Sequence, residues 1–267
     1  MYTGYQTIYG DTNDINCIMS DPDFSKDFAV NEYLLITNKD DGTTKEMRFD
    51  GAAFVPLRLP PAKYIKGKNS LQRCALDLLN NADIPIACVL GTYGSGKSYL
   101  TMRMALYHVK EKGNQSKILG VRSPWGEGRE IGFLPGTIED KIGPFFYPLV
   151  QQLEGGEYEL ERMKQIGEVE TIVPNLLKGT TFNETIILGE EAEDFTEKEI
   201  RLIGTRLGQR SRIFLSGDYK QSLLAQTEEN PLVKMCNIFR GNPLFGCVYL
   251  DEDVRSEASK LFATLFE

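Results

Sequence analysis

Residues 91–98, GTYGSGKS, have the residue types and the spacing of a loop that binds the phosphates of a nucleotide. The loop follows an apolar run at residues 86–90 and precedes a segment with helical periodicity, which is the context that this motif requires. Glycines allow the main chain to wrap closely around a triphosphate, so that amide N–H groups and the helix N-terminus face the anion. A chance glycine-rich turn is the alternative, and the four fixed positions of the motif argue against it.

The side chains of this loop have expected roles toward ATP and Mg²⁺. We expect Lys97 to neutralise the β- and γ-phosphate oxygens, which also places it in the catalytic set, and the hydroxyl of Ser98 to hold the metal ion. The predicted ATP-binding residues of the loop are Gly91, Thr92, Tyr93, Gly94, Ser95, Gly96, Lys97, Ser98 and Tyr99.

A second candidate element is TIILGEE at residues 185–191, an apolar strand that ends in two acids. Acids at the end of a parallel strand face the ligand crevice. We expect Glu190 to assist the metal through its water shell, and Glu191 to polarise the water that attacks the γ-phosphate. A solvated acidic loop is the alternative. The adjoining TEKE, residues 196–199, predicts a capping box at the start of a helix, so Glu199 is expected to be structural.

A third polar segment, GDYKQ at residues 217–221, follows the apolar run RIFLS. It predicts that Ser216, Asp218 and Gln221 lie at the same edge of the sheet and sense the γ-phosphate. A plain turn built on its Gly-Asp dipeptide is the alternative. The order and spacing of this segment after the acidic pair favour the sensor, and Gln221 joins the predicted ATP-binding residues.

Composition restricts the class of protein. The chain has 267 residues, of which 41% are hydrophobic and 25% charged, as is typical of a globular α/β core with a small appendage. Five scattered cysteines without a CxxC pair argue against a disulfide framework, and a single histidine argues against a histidine metal site or a Ser-His-Asp triad. We find neither a membrane-spanning apolar stretch nor a signal peptide, and therefore expect a cytoplasmic protein without a membrane partner.

The order of apolar and polar segments predicts the organisation of the chain. Residues 1–31 are expected to be an irregular arm. Two short apolar runs joined by Asp41-Gly42 predict a β-hairpin, and the proline-rich and basic stretch that follows predicts a linker. We therefore divide the chain into an N-terminal arm with a small β subdomain, residues 1–65, and a main domain, residues 66–267. In the main domain strand-like runs alternate with helices, which indicates an α/β fold with a mostly parallel sheet flanked by helices.

The motifs occur in an order that resembles the PhoH-like ATPases. The matching blocks, from about residue 69 to the C-terminus, are GTYGSGKSYLTMRMAL, VRSPWGEGREIGFLPGTIEDKI, TIILGEEAEDFTEKEIRLIGTRLGQRSRIFLSGDYKQ and DEDVRSEASKL. The second block is the most diagnostic, because the generic phosphate-loop pattern does not explain Arg122 or residues 132–136. The resemblance implies a RecA-like P-loop NTPase core shared with superfamily 1 helicases. The first 60 residues do not resemble the PIN nuclease domain of longer relatives, so RNA cleavage is not expected.

The resemblance also implies roles for single residues. Gln72 looks like a glutamine that reads adenine, since an amide can donate to and accept from the base at once; a surface helix residue is the alternative. Arg255 looks like an arginine that reaches the γ-phosphate across a subunit boundary, with a plain surface arginine as the alternative. Arg122 is a candidate for phosphate or nucleic-acid contact, or for packing by its stem. Trp125 could stack on a base, or pack beneath its own loop.

The acidic motif departs from the family pattern. Family members usually have Asp-Glu-Ala-Gln-Asn where this chain has Glu190, Glu191, Ala192, Glu193 and Asp194. Glu193 and Asp194 are expected to sit close to the γ-phosphate, where like charges repel one another. Binding of ATP is less sensitive to this departure than turnover is.

Three functions stay open on the sequence. The leading one is Mg²⁺-dependent ATP hydrolysis coupled to remodelling of RNA or single-stranded nucleic acid, by a homo-oligomeric ring such as a hexamer. Because the formal net charge is −8, such binding needs a local basic surface or the assembled ring. The second is a nucleotide-gated assembly module, held together through Arg255, with little turnover. The third is a metal-dependent nuclease that uses the acids of residues 190–194 as a two-metal site.

Overall fold

A computed structural model of the chain describes residues 1–123, 147–254 and 261. The first sheet in this part of the chain has four strands, β1 (Tyr5–Gly10), β2 (Tyr33–Asn38), β3 (Thr44–Phe49) and β4 (Phe54–Pro56), in the spatial order β1-β2-β3-β4. Strand β1 pairs with β2 in parallel, whereas β3 is antiparallel to both β2 and β4. The hairpin predicted around Asp41-Gly42 is therefore confirmed as the β2–β3 connection.

The expectation of an irregular arm over residues 1–31 is wrong. This segment contains β1 and the helix α1 (Thr12–Met19). The side chain of Asp11 accepts hydrogen bonds from the amides of Asn13 and Asp14, so an acid that suggested a break in the chain is the N-cap of a helix. Strand β1 gains its order from pairing with β2, a partner that lies more than 20 residues away in sequence.

The second sheet has six parallel strands, in the spatial order β10-β5-β9-β8-β6-β7. They are β5 (Ile86–Gly91), β6 (Lys117–Arg122), β7 (Val169–Ile172), β8 (Thr185–Glu190), β9 (Arg212–Gly217) and β10 (Phe245–Leu250). Every residue of β8, β9 and β10 is buried, as expected for a parallel sheet that is covered on both faces. The predicted parallel α/β core is confirmed, and β9 lies between the phosphate-loop strand β5 and the acidic-motif strand β8.

Helices cover both faces of the second sheet. The described helices after α1 are α2 (Ser70–Asn80), α3 (Lys97–Leu106), α4 (Tyr147–Val150), α5 (Gly156–Gln165), α6 (Glu197–Gly204) and α7 (Pro231–Phe239). One apolar cluster joins α2 and α3 to the sheet through residues such as Leu78 and Phe214. A second joins α6 and α7 through residues such as Ile203 and Leu215. No helix in the described ranges is long and apolar enough to span a membrane.

The carbonyl end of α2 is held by a buried arginine. The guanidinium of Arg212, at the start of β9, donates to the carbonyl oxygens of Leu79 at 2.6 Å, Ile84 at 3.0 Å and Leu78 at 3.3 Å. A cation at this position satisfies the unpaired carbonyl groups of the last helical turn. The only histidine, His108, is buried beside it and contacts the Leu79 carbonyl at 2.9 Å, so its role in the structure is packing and hydrogen bonding.

A buried polar network joins the first sheet to α2. Asp77, on α2, accepts a hydrogen bond from the hydroxyl of Tyr33 at 2.9 Å and an ion-pair contact from Nε of Arg48 at 3.1 Å. The main-chain amide of Arg58 donates to the other carboxylate oxygen of Asp77 at 2.6 Å. The Tyr33 hydroxyl is kept protonated, because burial and the Asp77 charge raise the pKa of Tyr33 well above its usual value. These contacts cross the predicted boundary at residue 65, and the division of the chain there stays a prediction.

We expect Asp77→Ala to lower the free energy of unfolding by about 3 kcal/mol, because it leaves the buried guanidinium of Arg48 and the Tyr33 hydroxyl without their acceptor. Urea unfolding followed by circular dichroism measures the change. The matched control is Asp23→Ala, which breaks the exposed ion pair with Lys26 and should cost less than about 1 kcal/mol. Equal losses in the two variants would contradict a stabilising role of the buried network.

Candidate nucleotide-binding site

The loop between β5 and α3 begins with a close approach of two main chains. Gly91 has φ 152°, and a Cβ atom at this position would lie 2.2 Å from the carbonyl oxygen of Leu250, at the end of β10. The amide of Thr92 donates to that same oxygen at 2.9 Å. Glycine is therefore required at the first position of the motif by the neighbouring strand as well as by any bound phosphate.

The rest of the loop is shaped by two further glycines in the left-handed region, Gly94 with φ 77° and Gly96 with φ 91°. Gly96 precedes α3, whose first turn has no side-chain cap. The N–H groups at this end of the ten-residue helix are therefore available to an anion, and the helix dipole favours a negative charge there. This geometry is the one that the sequence motif predicts for a phosphate-binding loop.

The loop and the ends of β8 and β9 enclose a cleft of about 240 Å³. Its lining residues are Tyr93, Gly94, Gly96, Lys97, Ser98, Tyr99, Glu191, Glu193, Ser216, Gly217, Asp218 and Gln221. The ammonium group of Lys97 donates to the carbonyl oxygens of Gly91 at 2.9 Å and Thr92 at 2.8 Å, so the lysine is held at the mouth of its own loop. Most of the predicted site residues in the described part of the chain thus meet at one edge of the sheet.

A larger groove of about 500 Å³ lies between α6 and α7, over the apolar residues of β5 and β9. Its walls are mostly apolar, with side chains such as Phe195, Ile200 and Met235. It contains neither the glycine loop nor the acidic motif. The chemistry of a charged triphosphate fits the smaller cleft better than this apolar groove.

Glu190 is buried beside the cleft, next to the lining residues Ser98 and Ser216. Its carboxylate accepts a hydrogen bond from the hydroxyl of Thr101, on α3, at 3.2 Å. Burial raises the pKa of Glu190, while the nearby hydroxyls of Ser98, Ser216 and Thr101 lower it. A hydroxyl and a carboxylate that face each other are the ligands that Mg²⁺ takes in phosphate-binding loops, so Ser98 and Glu190 fit the predicted metal site. The sequence did not reveal Thr101, although its place one helical turn after Lys97 puts it on the same face of α3.

Glu191 stands at the rim of the same cleft. It has a left-handed backbone conformation, with φ 49°, and its side chain is 49% exposed. Arg122 is in register with Glu190 on the neighbouring strand, and its guanidinium makes an ion pair with the Glu191 carboxylate. Arg122 is thus positioned beside the predicted catalytic acid, a contact that the sequence did not indicate.

The side chains of Glu193 and Asp194, the last two acids of the motif, lie in different surroundings. Asp194 is buried, and its carboxylate accepts hydrogen bonds from the amide of Leu223 at 2.8 Å and the hydroxyl of Ser222 at 3.2 Å. Asp194 is therefore held by two donors of the loop after β9 and is not among the residues that line the cleft. Its place beside the γ-phosphate stays a prediction. Glu193 does line the cleft, close to Gly217, and its Oε2 atom is buried without a hydrogen-bond partner.

The protonation of Glu193 depends on its surroundings. Burial raises the pKa of Glu193 to about 7, with a further contribution from the charge of Asp194. The main-chain carbonyl of Glu193 is fixed by the hydroxyl of Ser222 at 2.8 Å and by the amide of Asn230 at 2.9 Å. Asn230 is also the N-cap of α7, and the sequence analysis did not single out either of these partners.

The segment after β9 forms the turn that was the alternative interpretation, and it also lines the cleft, as the sensor interpretation requires. Asp218 accepts hydrogen bonds from the amide of Lys220 at 3.2 Å and from the side chain of Gln221 at 2.7 Å, which is a side-chain-capped turn. Ser216, Asp218 and Gln221 nevertheless all line the cleft. Their proposed role as sensors of the γ-phosphate stays a prediction.

Of the remaining predicted residues, the structure describes Gln72 but neither Arg255 nor Trp125. Gln72 is not a surface residue, because only 4% of it is exposed and it lies against the loop at Ser95. Arg255 and Trp125 lie outside the described residues, as do residues 132–136 of the diagnostic block. Val254, which precedes Arg255, donates its amide to the carbonyl oxygen of Gly94 at 3.2 Å.

Comparison with known proteins identifies the family. The sequence model of the family described as PhoH-like protein matches residues 64–267, which is most of the chain. The chain belongs to the PhoH family. This confirms the resemblance seen in the motifs, and the six-stranded parallel sheet agrees with a RecA-like P-loop fold. PhoH proteins are a P-loop NTPase family, so nucleotide binding of a general kind follows from membership.

Three curated relatives illustrate the similarity to the PhoH family. Protein PhoH2 of Bacillus subtilis is 30% identical over 213 residues, which are 75% of this chain and 47% of the relative. Protein PhoH2 of Mycolicibacterium smegmatis is 28% identical over 207 residues, 76% of this chain and 47% of the relative. The PhoH-like protein of Bacillus subtilis is 27% identical over 192 residues, 71% of this chain and 59% of the relative. The chain thus spans about half the length of the relatives it matches.

The raised pKa of Glu193 gives a testable dependence of stability on pH. The folded protein keeps this proton up to a pH of about 7, whereas an unfolded glutamate loses it near 4.5, so the stability that the group contributes falls as pH rises through this window. At pH 8 we expect the free energy of unfolding of Glu193→Gln, which cannot ionise, to exceed that of the unsubstituted protein by about 3 kcal/mol. At pH 4.5 the two free energies should be nearly equal, and urea unfolding measures both.

The control for this prediction is Glu157→Gln, the same change at an exposed position of α5. This control should leave the difference in the free energy of unfolding between pH 4.5 and pH 8 unaltered. An identical pH dependence of unfolding in the Glu193→Gln variant and the unsubstituted protein would show that Glu193 has an ordinary acidity in the folded state.

Proposed function

We propose that the protein binds ATP with Mg²⁺ in the cleft beside the glycine loop and hydrolyses it, and that hydrolysis is coupled to remodelling of RNA or single-stranded nucleic acid. The observation that carries the ATPase proposal is that Lys97 and Glu191 line one cleft at the carboxyl edge of a parallel sheet, with Glu190 buried next to the lining residue Ser98. The two acids come from the end of β8 and the lysine from the N-terminus of α3, which are far apart in sequence. An isolated glycine turn or a solvated acidic loop would not bring them together.

Each side chain has a role that follows from its position. The ammonium of Lys97, held beside the loop carbonyls of Gly91 and Thr92, can transfer its hydrogen bonds to phosphate oxygens with little movement. Mg²⁺ bound by Ser98 and Glu190 would neutralise charge on the phosphates. Glu191 is the acid that is half-exposed at the rim, where it can orient a water molecule.

The nucleic-acid part of the proposal rests on the resemblance of the family to helicases and on chemistry near the cleft. Arg122 is a cation at the carboxyl edge of the sheet, and Trp125 is an aromatic residue close to it in sequence. A guanidinium can contact a phosphate, and an indole ring can stack on a base. With a net charge of −8, the whole molecule repels a nucleic acid, so we propose that binding uses this edge within a homo-oligomeric ring, to which Arg255 contributes.

The nuclease alternative finds no support in the geometry of the acids. A two-metal site needs carboxylates that converge on a common point. Here Glu190 faces Thr101, Glu191 pairs with Arg122, and Asp194 turns to the loop after β9. Within residues 1–123 and 147–254, no group of three or more histidine, cysteine or acidic side chains is arranged to hold a metal ion.

Lys97→Ala tests nucleotide binding. We expect the affinity for Mg²⁺-ATP to fall by about a hundredfold, because the variant loses a charged donor to the phosphates, while the circular dichroism spectrum stays unchanged. Isothermal titration calorimetry measures the dissociation constant. Lys178→Ala, at an exposed position, serves as the control. An unaltered affinity of the Lys97→Ala variant would contradict the assignment of the loop.

Glu191→Gln separates binding from hydrolysis. We expect the dissociation constant for Mg²⁺-ATP to stay within about threefold, and the turnover number for phosphate release to fall by about a hundredfold, because the amide cannot polarise the attacking water. Release is measured with and without single-stranded RNA and single-stranded DNA, and Glu157→Gln is the control. A rate unaffected by the substitution would remove Glu191 from the catalytic role.

The same assay decides between the two functions that remain. Stimulation of phosphate release by one nucleic acid would support the remodelling enzyme and name its substrate. Tight binding of ATP without turnover, together with ATP-dependent association in analytical ultracentrifugation, would support the assembly module. The ion pair of Glu191 with Arg122 is the observation that keeps this second function open, because it engages the acid that hydrolysis requires.

A further inference from the structure

The side-chain amide of Gln72 bridges two segments of main chain beside the glycine loop. Its Nε2 atom donates to the carbonyl oxygen of Ser95, inside the loop, at 2.9 Å. Its Oε1 atom accepts from the amide of Lys68 at 2.8 Å. Only 4% of the residue is exposed. A glutamine that reads a nucleobase must present a donor and an acceptor to the ligand, and this amide uses one of each within the protein and exposes almost no surface.

The side-chain amide of Gln72 lies close to the main chain of the loop at Gly96. A Cβ atom at Gly96 would lie 2.9 Å from the Nε2 atom of Gln72. Gly96 has a left-handed backbone, and the absence of a side chain there allows the amide of Gln72 to lie this close. Gly96 immediately precedes Lys97 and Ser98, so a shift of this contact would move the two residues that are proposed to bind the phosphates and the metal.

The other amide in this segment is also engaged. Asn69 is the N-cap of α2, where its Oδ1 atom accepts from the amide of Gln72 at 2.8 Å. Its Nδ2 atom donates to a carboxylate oxygen of Glu252, in the segment after β10, at 2.8 Å. Neither amide side chain beside the loop is thus free to discriminate one purine from another without breaking a bond within the protein.

The helix that carries Gln72 is itself anchored. Asp77 ties its middle to the first sheet, and Arg212 holds its carbonyl end. A side chain on such a fixed helix can hold the loop in one conformation, whereas reading a base would require it to leave a buried position.

We propose that Gln72 is a positioning residue for the phosphate-binding loop rather than a reader of adenine, and that the site therefore accepts adenine and guanine nucleoside triphosphates alike. This inference rests on the proposed binding of a nucleoside triphosphate. Recognition comes from the triphosphate and the metal ion, which the two purine nucleotides share, through the loop amides, Lys97 and Ser98.

The experiment compares three probes, Mg²⁺-ATP, Mg²⁺-GTP and Mg²⁺-tripolyphosphate, by calorimetry on the full chain. The unsubstituted protein should bind the two nucleotides with dissociation constants within about threefold of each other. Gln72→Met keeps the size of the side chain but not its hydrogen bonds. It should raise the dissociation constants of all three probes by the same factor, about tenfold. Gln151→Met, the same change at an exposed position, should weaken none of them.

A second variant covers the case in which Gln72→Met does not fold. Gln72→Leu, which is shorter and uncharged, also removes the bonds to the Lys68 amide and the Ser95 carbonyl, so it should weaken binding of the three probes equally. The comparison of ATP with GTP on the unsubstituted protein depends on neither variant.

Two outcomes would overturn the inference while leaving the proposed function intact. In the first, the unsubstituted protein prefers ATP over GTP by tenfold or more, and the preference disappears in the Gln72 variants while their affinity for tripolyphosphate stays unchanged. That result is the signature of a residue that reads the base. The second is full affinity for all three probes in well-folded Gln72 variants. A failure of the unsubstituted protein to bind any probe would instead overturn the proposed function, and the inference with it.

Discussion

The phosphate-binding loop depends on main-chain contacts with two elements that lie far from it in sequence. Its glycines adopt left-handed conformations and carry no side chains that could pack, so contacts with neighbouring elements add to the hydrogen bonds that Lys97 makes within the loop. The end of β10 provides one support, because the Leu250 carbonyl accepts the Thr92 amide at a place where only Gly91 fits. Helix α2 provides the other through Gln72. The position of β10 beside β5, and of α2 over their edge, is thus a condition for the site and not only for the core.

Contacts with other elements resolve the electrostatic problem posed by the acidic motif. Four acids within five residues would repel one another and a triphosphate if all of them pointed into the cleft. In the structure they separate, since Glu190 faces hydroxyl groups, Glu191 pairs with Arg122, and Asp194 binds the loop after β9. Only Glu193 stays buried in the cleft with an unpaired oxygen, and its raised pKa reduces its charge near neutral pH. The substitutions relative to the family pattern are therefore compatible with an anionic ligand.

The features that sequence predicted are those set by local pattern. Apolar runs with alternating helical segments indicated the parallel sheet, and the fixed spacing of the glycine loop indicated its place between β5 and α3. The features that it missed depend on distant partners. The order of β1 comes from pairing with β2, the direction of Asp194 from Leu223, and the burial of Gln72 from Ser95. No window of neighbouring residues contains both members of these pairs, which is why periodicity and motif spacing could not reveal them.

The first sheet belongs to this arrangement through α2. Asp77 and Gln72 lie five residues apart on one helix, and the former binds Tyr33 and Arg48 of the first sheet while the latter binds the loop. One helix thus carries both the acid of the buried ion pair and the side chain that holds Ser95. The N-terminal residues therefore cannot be treated as an appendage that is independent of the nucleotide site. Their contacts fix one end of the chain of hydrogen bonds on which the shape of the loop depends.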